Sequence, residues 1–507
     1  MKIRCLTFFI LFCAQTQAYA ADLLEVYQQA LTSDPTYQQA ISERLSTKEG
    51  VPITLASLLP NINLTGTPSL TRTNYSGAVT GGISVVPRNN TMKYYELALT
   101  ATQTVFNYSQ YMSLASSVSI SKGADATLNA ALQSLMTRVA NAYFAVLRDE
   151  DNLSYSQASK VAYAEQLSQV KQQFDVGLKT ITEVYTAQAS YDTATANVIA
   201  AETTLANDRE NLRVITGKYY PHLSSLSESF PLIRPIPMNV DRWVERAQMQ
   251  NWSIRSAQYN LDSARQIVRQ QFGGHLPTVT MQAQVDRIYT NNINGYFNID
   301  QRNGPSIQKD KSVMLNINVP LFQGGGVVAQ TNQAMYNYQT TQQQLELTVR
   351  NTLHTTRQSY LGVIAGISQI TADKQAIKSS MSSLEGMEAS YQVGTETLVD
   401  VLNQQQKVFQ AQTQYATDRY NFINNVLLLK QAAGTLSFDD LCAINAWLRD
   451  EKHAAVPIRH FAKHQHVVMH KAKKVKKVAT KKMMVKKKVA AVAKPHKKAK
   501  VKLALRK

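Results

Sequence analysis

The sequence contains two similar stretches, VGLKTITEV at residues 176–184 and VGTETLVDV at residues 393–401. They lie 217 residues apart, and the same spacing separates Pro60 from Pro277, each of which opens an alternating run. A period this long exceeds that of any solenoid repeat, so we predict one ancestral unit used twice. One unit cannot bury all that it exposes, so the two copies must pack together or against other chains.

Both stretches are typical of a tight turn between two helices. In each, a glycine would end the preceding helix in the left-handed conformation. A threonine followed three residues later by an acid has the spacing of a capping box, which starts the next helix. We therefore predict that tip turns 176–180 and 393–397 close two helical hairpins. The glycines are Gly177 and Gly394, and the capping pairs are Thr180 with Glu183 and Thr397 with Asp400.

Helical segments of unusual length lead into both turns, from about Ser109 to Val176 and from Val327 to Val393. At about 1.5 Å per residue, each would span roughly 100 Å, far more than an average globular helix. The shorter segments Asp22–Lys48 and Ile181–Thr216 together match one long helix, and Asp241–Gln271 is the second-repeat counterpart of the former. Each repeat should therefore pair one continuous helix with one composite helix, packed antiparallel.

Four alternating runs predict strands at about 60–72, 95–106, 277–289 and 312–322. Apolar residues alternate there mainly with Thr, Asn and Gln, which fits a transmembrane β-barrel with an apolar outer face and a wet inner face. Runs of about ten residues are long enough to cross a bilayer when tilted. A soluble sandwich with one face on a core is the alternative.

Four strands per protomer cannot close a barrel, and an open sheet edge in lipid leaves backbone groups unpaired. The chain should therefore form an oligomer. Two copies would give eight strands around an interior filled by side chains, whereas three would give twelve strands and leave a passage.

The two ends of the chain differ from its body. Residues 1–20 have the charged start, short apolar core and Ala-x-Ala site of a secretory signal peptide, so we expect export. The net charge of +19 belongs wholly to the residues from Glu451 onward, and the body is neutral. We predict that residues 451–507 form a basic disordered tail. Such a tail either binds anionic envelope polymers or lipids or is inert or cleaved.

The chain resembles the TolC family of trimeric outer-membrane channel-tunnels, the outer membrane efflux proteins. The resemblance covers about residues 21–449 and rests on the two tip stretches, on LRVITGKYYP at 212–221 and on LFQGG at 321–325. It implies a homotrimer with a twelve-stranded barrel and a twelve-helix periplasmic tunnel, in the outer membrane of a Gram-negative bacterium. It implies a passive exit channel for tripartite drug efflux and type I protein secretion, opened by a periplasmic adaptor (membrane fusion protein) and an inner-membrane pump or ABC transporter.

On this interpretation, repeat 1 covers residues 21–217 and repeat 2 covers residues 239–434. An inter-repeat linker occupies 218–238, and a C-terminal equatorial segment occupies 435–450. The resemblance also implies that the hairpin tips dock the adaptor. The expected docking residues are Val176, Gly177, Leu178, Thr180, Val393, Gly394, Thr395 and Thr397.

The resemblance places a periplasmic gate near the tips, where links among a tyrosine, an arginine and acids hold the family's tunnel shut. Tyr391 matches the gate tyrosine, and Asp400 matches the first of two aspartate rings. Glu183, Glu396 and Asn403 stand where the partner aspartate, the gate arginine and the second ring aspartate are expected. The arginine-based links therefore cannot form as the family makes them, so either another cation holds the gate or the resting pore is leakier.

Three copies of Asp400 would concentrate cations at the constriction. Alternatively, Glu183 and Asp400 are only caps, which the helix dipole favours at helix starts.

We expect no catalytic, cofactor or metal site. The glycines at 324–326 lack the Lys-Ser/Thr that follows in a phosphate loop, so the energy for transport must come from a partner pump. The alternative function is that of a structural or adhesive envelope protein whose basic tail binds polyanions.

Overall fold

The computed structural model describes residues 20–74, 89–227, 229–293 and 305–449. The basic tail, all but the last residue of the expected signal peptide, and parts of both strand-connecting segments lie outside these residues. The first half of the chain contains α1 (Leu23–Ser33), α2 (Pro35–Ala56), β1 (Asn61–Asn74), β2 (Asn89–Phe106), α3 (Tyr108–Asp175) and α4 (Ile181–Thr216). After β3 (Ser225–Leu226), the second half contains α5 (Val240–Gln250), α6 (Trp252–Phe272), β4 (Thr278–Ile293), β5 (Ser306–Asn318), α7 (Gly326–Gln392), α8 (Leu398–Ala432), α9 (Phe438–Asn445) and β6 (Leu448–Arg449).

A single residue joins the two short helices at the start of each half. Asp34 ends α1 and caps α2, with its carboxylate accepting a 2.9 Å hydrogen bond from a first-turn N–H. Asn251, which lies 217 residues later, ends α5 and caps α6 in the same way. The single helices predicted at Asp22–Lys48 and Asp241–Gln271 are therefore each two helices, because the extended backbone of the capping residue interrupts them.

The short helices meet the ends of the return helices. Gln29 Nε2 donates to the Thr216 carbonyl at the end of α4 (3.4 Å). Asn251 Nδ2 donates to the Ala432 carbonyl at the end of α8 (2.9 Å). α2 and α4 both pack along α3. The continuous helix α3 therefore faces a composite of shorter helices, as the segment lengths predicted.

The four long strands form one antiparallel sheet in the order β1-β2-β4-β5. Leu64 lies opposite Leu99, which in turn lies opposite Val285, so apolar side chains share one face. Pairing of β2 with β4 joins the two halves of the chain. Edge strands β1 and β5 each have one neighbour among the described strands.

The strand bounds differ from the predicted ones at both ends of the sheet. β2 and β4 continue into the polar segments as far as Asn89 and Ile293, because backbone pairing goes on beyond the apolar part of each run. The fourth strand covers Ser306–Asn318 rather than 312–322. Pro320 lacks the N–H that a continuing ladder needs, which explains the early end.

The main buried cluster lies where α1, α3, α8 and α9 meet. The Tyr143 hydroxyl donates to the carbonyls of Ala21 (3.1 Å) and Ser224 (2.8 Å), which fixes the N-terminal segment and the linker on α3. Phe144 packs edge-on against Tyr143, with ring centroids 5.5 Å apart. Within the described ranges, no helix is long and apolar enough to cross a membrane.

Candidate gate and docking site at the hairpin tips

Capping boxes start the return helix of both hairpins, which confirms that prediction. The Thr180 hydroxyl accepts from the Glu183 N–H (3.4 Å), and the Glu183 carboxylate accepts from the Thr180 N–H (3.0 Å). Thr397 and Asp400 make the same reciprocal bonds at 3.3 and 3.2 Å. Two backbone donors at each helix start are satisfied in this way.

Both turns bend at a left-handed glycine, as predicted. Gly177 has φ 76° and Gly394 has φ 82°. The bend leaves apolar side chains in solvent, with Val176, Leu178 and Val393 at least 70% exposed. Exposed apolar groups clustered at a tip are typical of a protein-binding surface.

The other predicted tip residues lie close by. The Thr395 hydroxyl donates to the Ser390 carbonyl (3.0 Å), which fastens the second turn to the end of α7. Glu396 is exposed in that turn, and Asn403 is exposed on the first turns of α8. Neither side chain carries a positive charge, so neither supplies the cation expected at the gate.

Lys179, in the first tip turn, links the two hairpins. Its Nζ lies 4.2 Å above the centroid of the Tyr391 ring and 3.1 Å from Glu183 Oε1. An ammonium over an aromatic face is attracted by the ring quadrupole. The interaction with Tyr391 contributes most to raising the pKa of Lys179 above its usual value, despite some desolvation, and Glu183 adds to it.

The sequence interpretation missed Lys179 because it looked for a cation at the position of Glu396. The available signal was a lysine directly before the N-cap Thr180, within reach of the capping-box acid Glu183. Partial burial opposes the ionisation of Glu183, but hydrogen bonds from Thr180 and Lys179 outweigh it and lower the pKa. Both partners of the pair are therefore held in their charged forms.

An apolar cluster supports the tips from within. The Tyr163 hydroxyl donates to the Leu402 carbonyl (3.4 Å), which joins α3 to α8. Tyr391 packs against the edge of this cluster, so its ring has a defined position beneath Lys179. The buried members are Tyr163, Leu167, Val170, Val184, Ala187, Ala194, Leu398 and Leu402.

Asp400 is held as an anion by its capping bonds. The Thr397 hydroxyl donates to Asp400 Oδ2 at 2.5 Å, and hydrogen bonds from that hydroxyl and from the Thr397 N–H lower the pKa of the carboxyl. These bonds give Asp400 the capping role that the sequence left as an alternative. They also keep its charge in place at the start of α8.

Asp373 on α7 is another carboxyl group with a shifted pKa. The sequence interpretation missed it because its neighbour Asp418 is remote in sequence and lies on α8. Desolvation, together with the hydrogen bond and repulsion from Asp418, raises the pKa of Asp373 to about 6. Antiparallel packing of α7 on α8 brings the two together. Among the described residues, no group of three or more His, Cys, Asp or Glu is placed to hold a metal ion.

The model of the family described as outer membrane efflux protein matches residues 26–218 and 243–435, once in each half of the chain. The outer membrane protein TolC of Salmonella enteritidis is 38% identical over 434 residues, which cover 85% of this chain and 86% of that protein. The alkaline protease secretion protein AprF of Pseudomonas aeruginosa is 26% identical, over 84% of this chain and 86% of that protein.

The fold is also similar to a solved structure. The outer membrane protein VceC of Vibrio cholerae superimposes with a TM-score of 0.65 at 20% identity, covering 81% of this chain and 96% of that one. At that identity the likeness concerns the fold alone. The mostly helical, tunnel-like architecture is thus common to both proteins.

Proposed function

The chain belongs to the outer membrane efflux protein family, and we propose from this that it is an outer-membrane exit channel for tripartite drug efflux and type I protein secretion. The single observation that carries the proposal is that one chain combines a four-stranded β-sheet with hairpins of very long helices. α3 has 68 residues, or roughly 100 Å at 1.5 Å per residue. A family described by efflux and a relative named for protease secretion support the two kinds of cargo.

The channel is a passive conduit of three copies in the outer membrane. Support comes from the sheet, whose edge strands β1 and β5 have no second neighbour among the described strands. An apolar face such as that of Leu64, Leu99 and Val285 suits lipid. Three sheets placed edge to edge close twelve strands around a passage, whereas two would enclose only side chains.

The hairpin tips form the gate and the docking site for the periplasmic adaptor, which connects the channel to an inner-membrane pump or ABC transporter. Lys179 takes the role of the missing arginine, because it contacts both Tyr391 and Glu183. The exposed Val176, Leu178 and Val393 provide the apolar footing for the adaptor.

Three copies of Asp400 give the mouth its cation preference, since a ring of carboxylates raises the local cation concentration. We expect Asp400→Asn to lower the cation-to-anion permeability ratio in planar bilayers. The Asn side-chain oxygen can still accept from the Thr397 N–H as Asp400 does, so the capping box is kept. Glu202→Gln, at an exposed position on α4, serves as the matched charge control. A ratio unchanged in Asp400→Asn would limit Asp400 to capping.

The decisive experiment is planar-bilayer conductance of the purified chain combined with its mass in detergent. Discrete cation-selective steps from a trimer support the channel, and drug sensitivity on gene deletion supports the efflux role. A non-conducting monomer would overturn the proposal. It would favour the alternative of a structural or adhesive envelope protein with a polyanion-binding tail.

A further inference from the structure

The charged side chains of the four long strands are sorted by face. Strand alternation and register place every acid on the face opposite Leu99 and every base on the face of Leu99. The acids are Glu96, Asp286 and Asp310. The bases, here termed the basic belt, are Arg72, Lys93, Arg287, Lys309 and Lys311, and all five are exposed.

The basic belt lies in the outer half of the sheet, from the row of Arg72 and Thr91 to the row of Val285 and Lys311. Each of its residues lies in the half of its strand that is remote from the helices. Apolar residues of the same face such as Ile62, Val313 and Leu315 lie closer to the helices, whereas Leu99 and Val285 share the row of Lys311. The bases of this face are thus confined to its outer half.

The belt has no counter-charge of its own. Arg287 lies directly opposite Lys309 on the neighbouring strand, and like charges in that arrangement repel. None of the five makes an ion pair with another residue that the structure describes. The nearest strand acid in sequence, Asp286, points to the other face. An anion from outside the chain would relieve this repulsion.

Two tyrosines mark the depth of the belt. Tyr95 and Tyr289 lie opposite each other on the same face, with ring centroids 5.8 Å apart. Tyrosines of membrane barrels concentrate at the level of the lipid headgroups. On this face Lys93 is the next residue beyond Tyr95 on the side away from the helices, and Arg287 is the next residue before Tyr289 on the side toward them, so the two bases flank the tyrosines. A lysine or arginine is costly at the bilayer midplane but costs little near the interface, so these bases fit a depth close to the tyrosines.

We propose that the basic belt binds the phosphate groups of anionic lipids in the outer leaflet. The inference rests on the proposed membrane function of the sheet. Opposed side chains on paired strands have Cβ atoms about 5 Å apart, so Arg287 and Lys309 suit one phosphate between them. Arginine contributes bidentate hydrogen bonds to phosphate oxygens. The bound lipid neutralises the belt and stabilises the sheet.

The test compares lipid binding by the full chain and by the double variant Arg287→Gln/Lys309→Gln. The probes are a glycolipid carrying two phosphates, phosphatidylcholine and inorganic phosphate, each titrated into detergent-solubilised protein. Each basic residue near an anionic lipid surface contributes about a fivefold change in binding, so the double variant should bind the glycolipid roughly thirtyfold more weakly. Phosphatidylcholine binding should not change.

The control double variant Lys378→Gln/Lys407→Gln has the same loss of charge on exposed sites of α7 and α8. It should bind the glycolipid as the unaltered chain does, and Arg287→Lys/Lys309→Arg should retain binding. Equal weakening in the control would overturn the proposal, as would competition by inorganic phosphate at lipid-equivalent concentration. Conductance of the unaltered chain tests the channel separately, so loss of lipid binding with normal conductance leaves the channel proposal intact.

Discussion

At the residue scale, the proposed gate depends on the charge of Lys179. This lysine contacts Tyr391 on α7 and Glu183 on α4, so removing it breaks both links. We expect Lys179→Gln to raise resting single-channel conductance several-fold in planar bilayers. A desolvated ammonium over an aromatic ring contributes up to about 2 kcal/mol, which is enough to shift a closed population markedly.

The matched control is Lys171→Gln, because Lys171 is an exposed lysine on α3 that donates a hydrogen bond to the neutral Gln188 (3.4 Å). Its conductance should match the unaltered chain, and Lys179→Arg should stay closed. If Lys179→Gln conducts no more than Lys171→Gln, then another contact holds the mouth.

The Asp373 carboxyl predicts a pH dependence of stability. Its pKa is raised to about 6 in the folded chain, whereas an unfolded Asp titrates near 3.9. The folded state therefore binds more protons between these values, and stability falls as the pH rises from about 4 to about 6. Thermal unfolding in detergent across this range should show the decline.

Asp373→Asn should flatten that decline, since an amide does not ionise beside Asp418. Asp192→Asn, at an exposed position on α4, should leave the pH profile unchanged. A profile in Asp373→Asn as steep as in the unaltered chain would show that other groups cause it.

At the element scale, a glycine at a helix end can be required by lack of room for a Cβ atom as well as by its left-handed backbone. Gly434 and Gly394 are both left-handed, but a Cβ on Gly434 would lie 2.4 Å from the Gln250 carbonyl oxygen, whereas a Cβ on Gly394 meets nothing within 4 Å. Alanine in the left-handed region costs about 1–2 kcal/mol at either site. Gly434→Ala should therefore lower the melting temperature clearly more than Gly394→Ala, and equal shifts would contradict the close contact with α5.

The sequence was sufficient to predict those features that depend only on residues close together in the chain. The glycine and threonine of each tip turn predict the observed bend and capping box, because both depend on neighbouring residues. The breaks at Asp34 and Asn251 were missed, since an Asp or Asn within a helical pattern does not by itself require an extended backbone. Lys179 and Asp373 were missed because their partners, Tyr391 and Asp418, come from other helices.

At the scale of the whole molecule, the unpaired strand edges predict where copies join. In a Cys442→Ser background, a cysteine at Leu64 of β1 should form disulfides with one cysteine at Val313, Leu315 or Ile317 of β5. Each disulfide needs Cα atoms within about 7 Å. Denaturing electrophoresis under non-reducing conditions should then show linked dimers and trimers.

The control places the first cysteine at Leu99 of β2, which has a strand on each side in the sheet. It should form no intermolecular disulfide with the same β5 positions. Linked dimers without trimers would indicate a pairwise assembly of eight strands.

The one-residue junctions at Asp34 and Asn251 also fix how the second short helix of each half is rotated about its axis relative to the first. Neither junction has a spare residue, so α2 continues from α1, and α6 from α5, at a fixed angle about the helix axis. One inserted residue would turn α2 by about 100°, moving Arg44 away from Asp125, to which it is now bonded at 2.5 Å. Because α2 leads within a few residues into β1, this rotation would also displace the edge strand. The segment that leads from the buried cluster to the sheet therefore cannot gain even one residue at these junctions without turning the helix that follows.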